Sequence, residues 1–205
     1  MPDDQENPTD APARTRLAPD DRRQQLVETA AAILGSEGVE QVRVPRVADE
    51  AGVSRPVVYR FFPNRHALIL AVLEDFRAEL ESRLPTSTKT PPDDLFREVR
   101  VFVDAACGAI EAKGPGAWYL MGSNGLDPEL NELGEQLEAQ LLEPWLPSLG
   151  ELTGVSPREA KIIAKMVVAA ARAVIELWIA GQLDREELLL LLSRGISGVL
   201  TEFLQ

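Results

Sequence analysis

Arg55, Pro56, Val57, Tyr59 and Arg60 fall within six residues, and together they suit contact with a polyanion. An arginine guanidinium is a planar fork that pairs bidentately with guanine, and a valine methyl can rest on the methyl of thymine. A tyrosine hydroxyl and further guanidinium groups, such as those of Arg60 and Arg65, suit phosphate oxygens, which fix register without reading sequence. Such chemistry needs a short, firmly held helix that turns these groups outward. A solvated arginine face on an ordinary helical hairpin has the same spacing, so the residues alone leave both readings open.

The surrounding pattern predicts the elements that would hold such a helix. Leu26, Ala30, Ile33 and Leu34 follow helical spacing, and Gly38 lies just past them as a stop signal. A short helix is expected over about Val44 to Ala51, with Pro45 in its first turn, where a missing N–H costs little. Gly52 supplies the turn. Ser54 is expected to cap a third helix ending near Phe61. Val47, Val53, Val58 and Phe62 are spaced to form a small core behind this pair, and small Ala48 and Ala51 allow close approach. Asn64 is placed to cap a fourth helix with apolar residues at Ile69, Val72, Leu73, Phe76, Leu80 and Leu84.

Beyond it, the Pro/Thr-rich stretch 85–92 reads as a loop. Helices are expected at about Asp93 to Lys113, Ala117 to Met121 and Asp127 to Leu146, the last bent or ended near Pro144 and Pro147. Ser156 with Glu159 marks a capping box opening a long helix to about Leu183. Asp184 with Glu187 opens the last helix the same way. No period-2 alternation is long enough for a strand. The fold class is all-α: an N-terminal helix-turn-helix unit followed by a larger helical unit. The expected divisions are a tail over residues 1–18, a helix-turn-helix unit over 19–64 and a helical body over 65–205.

Charge supports the division. The 205 residues carry a net charge of -12. Residues 14–66 hold nine Arg against seven acids, which leaves +2 there and -14 in the remainder. A mildly basic unit on an acidic body suits a nucleic-acid reader with a separate core. The first thirteen residues are acidic and Pro-rich, unlike a signal peptide. One Cys and one His exclude a disulfide framework and a zinc cluster, so no metal and no cofactor is expected. No apolar run reaches the roughly 18–20 residues a membrane helix needs, and a reduced, cytoplasmic setting fits a lone thiol.

The segment also resembles a known family. The matched positions begin with Arg22-x3-Leu26-Val27-x2-Ala30-Ala31 and Gly38. They continue as Val47-Ala48-x2-Ala51-Gly52-Val53-Ser54-x4-Tyr59-x2-Phe62-Pro63-Asn64-Arg65-x-Ala67-Leu68. This is similar to the DNA-binding domain of the TetR family of bacterial regulators. The resemblance implies that Ser54 to Phe62 is the recognition helix and that Tyr59 and Arg65 contact phosphates. It also implies a dimeric reader of an operator in double-stranded DNA, with a C-terminal helical domain that pairs two copies and encloses a small-molecule effector. Three positions depart from the family pattern. Arg43 stands where a capping Thr is common, Arg65 replaces a Lys, and Phe61 stands where a polar ring is common.

The dimer has independent support in the sequence. Ile163, Val167, Ala170, Val174 and Trp178 of the long helix, with Leu192, Ile196, Val199 and Phe203 of the last, make two helices too apolar to be covered on one side only. A four-helix interface from two copies would cover them, although two central helices of a monomer would show the same pattern. For the effector cavity the candidates are Phe76, Phe102, Cys107, Trp118, Tyr119, Met121 and Trp178, each also a candidate for plain core packing. An enzyme is disfavoured: no Glu-x-x-His pair exists, and Glu132, Glu135 and Glu138 read as a solvated face. A helical adaptor that binds protein instead of DNA is the remaining rival.

Overall fold

The computed structural model describes residues 17–84, 95–120, 128–143 and 146–201. Residues 1–16 of the expected tail, the loop at 85–92 and the turn after Met121 lie outside the described residues. Everything regular among the described residues is helical.

α1 (Pro19–Glu37) starts with Pro at its first position and Asp20 and Asp21 in its first turn, where carboxylates complement the helix dipole. Its buried face is Leu26, Val27, Ala30, Ile33 and Leu34. A single 3₁₀ turn, Val39–Gln41, leads to α2 (Val44–Glu50). Gly52 (φ 65°) then turns the chain in a conformation costly for any residue with a Cβ. The turn is closed by Val53 N–H donating to Ala48 O at 2.9 Å.

α3 (Arg55–Phe61) follows. Ser54 occupies its N-cap position, but its side chain makes no cap hydrogen bond, so the expected cap is corrected: extended backbone and Pro56 start the helix. α4 (Arg65–Arg83) does have its cap, Asn64 Oδ1 accepting from Ala67 N–H at 2.8 Å.

The remaining helices are α5 (Leu95–Lys113), α6 (Gly116–Leu120), α7 (Pro128–Leu142), α8 (Leu146–Thr153), α9 (Pro157–Ile179) and α10 (Arg185–Thr201). The long helix expected over 127–146 is in fact α7, and α8 is an element the pattern did not reveal. Pro147 sits in the first turn of α8, where it is compatible with helix. α9 also ends four residues earlier than expected. Gly181 adopts φ 71° and breaks the helix after Ile179.

Both expected capping boxes form. Ser156 Oγ accepts from Glu159 N–H, and Glu159 Oε2 accepts from Ser156 N–H at 2.9 Å. Asp184 and Glu187 do the same at 2.8 and 2.9 Å. Hydrogen bonds from the Ser156 side chain, then its backbone, hold the Glu159 carboxyl below the usual carboxylate range. The folded value is the lower one. This cap therefore contributes fully above the ordinary glutamate pKa and fades as pH falls through the lowered value.

α4 packs on α5 and α1, α1 on α6, α9 on α8 and α10, and α10 on α5. The core is continuous from Leu26 and Phe62 in the N-terminal helices to Ile175, Leu188 and Leu192. Beside its buried apolar face, α1 meets the body at two further points. Asp75 of α4 accepts from Gln24 of α1 at 3.3 Å and pairs with Lys113 of α5 at 2.9 Å. Gly35 of α1 meets Gly116 of α6 backbone to backbone.

Candidate nucleic-acid interface

α3 is amphipathic across its width. Val58 is buried, and Phe62, just past the helix end, is 2% exposed. On the other side Arg55, Pro56 and Arg60 are exposed, Tyr59 is 53% exposed and Val57 is half-buried. The helix therefore presents the five expected side chains while its back is fixed in the core. Rings underlie two of the arginines: the Arg23 guanidinium lies 5.3 Å from the Phe62 ring centre, and that of Arg60 lies 5.0 Å from Phe61. Phe61 is half-buried, covered by Arg60 and packed against the core.

The other arginines differ in how they are engaged. Arg43, at the N-cap position of α2, is exposed and donates from Nε to Glu40 O at 2.7 Å, with no side-chain cap. Arg46 bridges Glu37 at 2.7 Å and Glu50 at 2.6 Å. Hydrogen bonds to Glu37 and then Glu50 raise its pKa further, so it is a permanently charged clamp between α1 and α2.

Arg65 has a structural use that local spacing did not reveal. Nε donates to Val42 O at 2.9 Å and Nη2 to Val39 O at 2.6 Å, with Glu40 at 3.9 Å. It thus ties the start of α4 to the turn before α2. Arg65→Lys keeps the charge and loses the fork. We expect a loss of about 1–2 kcal/mol in chemical denaturation, because hydrogen bonds from charged groups are worth about 1.5–3 kcal/mol and this group is partly exposed. Unchanged stability with weakened DNA binding would instead leave Arg65 as a phosphate contact only.

The expected cavity residues separate. Phe76 and Cys107 are fully buried in the core, and Trp118 is 5% exposed. Phe102 and Trp178 are half-buried, Tyr119 is exposed, and Met121 lies outside the described residues. The Trp118 indole Nε1 is buried with no hydrogen-bond partner. Burial, the largest influence, pushes the Cys107 thiol up to about 11. Cys107 is therefore expected to resist a thiol-specific reagent at pH 8 while folded and to react at once in denaturant. Equal rates in the two states would contradict its burial.

The interface residues also need correcting. Ile163, Leu192 and Ile196 belong to the core of the protomer itself, at 2%, 4% and 2% exposure. Enclosed in this way, they do not form an outer surface. Val167, Val174 and Trp178 are half-buried, and Ala170 is exposed. The Val199 side chain and Phe203 lie outside the described residues. Among the described residues, the large apolar ones left bare on α9 and α10 are Ile162, Met166, Leu177, Leu190 and Leu191. This is a face rotated from the expected one.

Residues 26–72 match the profile described as "Bacterial regulatory proteins, tetR family". This segment is thus a DNA-binding domain of the TetR-family type. Among curated proteins it is 36% identical over 78 residues to the nucleoid occlusion factor SlmA of Mannheimia succiniciproducens, covering 38% of this chain and 36% of that one. It is 35% identical over 96 residues to the transcriptional activator FasR of Mycolicibacterium smegmatis, covering 47% and 43%. The match thus spans less than half the length of these two relatives.

A longer alignment, 23% identical over 82% of this chain and 84% of the other, joins it to the regulator BetI of Vibrio atlanticus. The whole fold resembles solved TetR-family structures. A regulator from Streptomyces coelicolor superimposes with a TM-score of 0.65 at 22% identity, covering 89% of this chain and 82% of that one. The fatty acid degradation regulator FadR of Bacillus halodurans gives 0.66 at 16% identity, covering 91% and 96%. No described helix is long and apolar enough to cross a membrane, and the described residues hold no cluster of metal-ligating side chains.

Proposed function

We propose that this TetR-family chain is a cytoplasmic repressor that binds a palindromic DNA operator as a homodimer and is released by a small, largely apolar effector. The observation that carries the reading is α3, which exposes Arg55, Pro56, Tyr59 and Arg60 while Val58 and Phe62 anchor its back. Residues 19–64 are the DNA-binding domain, with Arg43, Ser54 and Val57 at the edge of the contact and Arg65 holding the unit to the body. Residues 65–205 carry dimerisation and ligand binding.

Two copies joined through α9 and α10 would cover Ile162, Met166, Leu177, Leu190 and Leu191. Their recognition helices would then read half-sites about 34 Å apart, or a multiple of that. Met166→Glu with Leu190→Glu is expected to give a folded monomer by sedimentation. A dimer unchanged by both substitutions would place the interface elsewhere. Trp118 contributes an unpaired buried donor that an effector oxygen would satisfy. The name of FadR associates one fold relative with fatty acid degradation, which suits an apolar effector here.

The test is selection of binding sites from a random duplex pool at stated salt. An enriched palindrome is expected, with affinity falling steeply as salt rises. Arg55→Ala is expected to cost about 1–3 kcal/mol per half-site and to relax the sequence preference. No enrichment by the folded protein at low or moderate salt would overturn the reading in favour of a protein-binding adaptor.

A further inference from the structure

We propose that the acidic N-terminal segment, residues 1–13, docks in the cleft beside α3 and competes there with nucleic acid. The competition rests on the DNA-binding reading, whereas the docking does not. The cleft has a volume of about 980 Å³ and is open to solvent. Its walls are the start of α1 at Leu17 and Arg22, the Gly52 turn, and α3 at Ser54 and Arg60. Leu17, which lines the cleft, follows the segment by four residues in the chain.

Charge fits the pairing. Asp3, Asp4, Glu6 and Asp10 precede the first basic side chain, Arg14. The cleft presents Arg22 and Arg60 against the carboxylate of Asp49. Arg55 is exposed on the same helix. Reach is ample: thirteen extended residues span up to about 45 Å, whereas the seven residues of α3 are about 10 Å long. A short tether gives an effective concentration of order millimolar, so weak contacts suffice. Because the attraction is ionic and partly exposed, added salt should release it.

The test compares the full chain with a neutralised one carrying Asp3→Asn, Asp4→Asn, Glu6→Gln and Asp10→Asn. Backbone amide spectra are recorded without DNA at about 50 mM and about 0.5 M salt. Leu17, Arg22, Gly52 and Ser54 are expected to differ between the two chains at low salt and to coincide at high salt. On a random duplex at low salt the neutralised chain is expected to bind about tenfold more tightly, the gap closing as salt rises. Coincident cleft amides at low salt overturn the docking, whatever the DNA result. Shifted amides with equal DNA affinities overturn the competition. Shifted amides in a chain that binds no duplex uphold the docking and overturn the DNA reading.

Discussion

Phe62→Ala is expected to lower the stability of the chain by about 3–5 kcal/mol, the usual range for removing a buried aromatic ring. Phe62 is 2% exposed and is among the largest side chains completely enclosed. It stands at the exit of α3, just before Pro63, with Arg23 of α1 across its ring. It belongs to the same continuous core as Val47, Ala48 and Val58, and truncation to a methyl would leave a void there. DNA binding should fall with it, because α3 would lose its anchor. Urea denaturation of both chains gives the difference directly. A midpoint within a few tenths of a molar of the parent would mean that the ring does not hold α3 in place.

Gly116→Ala is expected to cost near the upper end of about 1–3 kcal/mol, although it adds a single methyl. That methyl would lie 2.8 Å from Gly35 N, 2.9 Å from Leu34 Cγ and 3.0 Å from Ala31 O. Two of these neighbours are backbone atoms of α1, so the helices themselves must separate. The facing substitution is the control. A methyl on Gly35 comes no closer than 3.4 Å, to Gly116 N, and alanine favours helix over glycine. Gly35→Ala should therefore be neutral or slightly stabilising. Thermal unfolding of the pair tests the asymmetry, and equal melting temperatures would show that α1 and α6 are not in tight contact.

What could be read from sequence, and what could not, divides by physical range. The α1–α4 boundaries, the Asn64 cap and both capping boxes depend on residues within four positions of one another, and they were legible. The outward face of α3 was legible for the same reason: Val58 and Phe62 are four apart, and the arginines and tyrosine lie between and around them. The structural ties of Arg65 were not legible because its partners are carbonyls 23 and 26 positions away, which no local spacing encodes. α8 was hidden because Pro147 reads equally as a break and as a first-turn residue. Apolar residues surround so much of α9 that the sequence could not say which arc faces α8 and α10 and which is left bare. The aromatic residues of the body had the same ambiguity, since a core and a cavity wall call for the same side chains.

The junction at Asp75 has a mechanical consequence. One carboxylate holds Gln24 of α1 and Lys113 of α5 while itself belonging to α4. A second fastening, at Gly35 and Gly116, lies eleven residues, or about three turns, farther along α1. A rod pinned at two separated points can neither roll nor slide against what it is pinned to. The Arg46 clamp then fastens α2 to the far end of the same rod. Displacement in α4, α5 or α6 is thus not lost as slippage at α1. Held this way, α1 and α2 would carry α3 as one splinted block, so torsional stiffness in α1 is what would let the body steer the recognition helix.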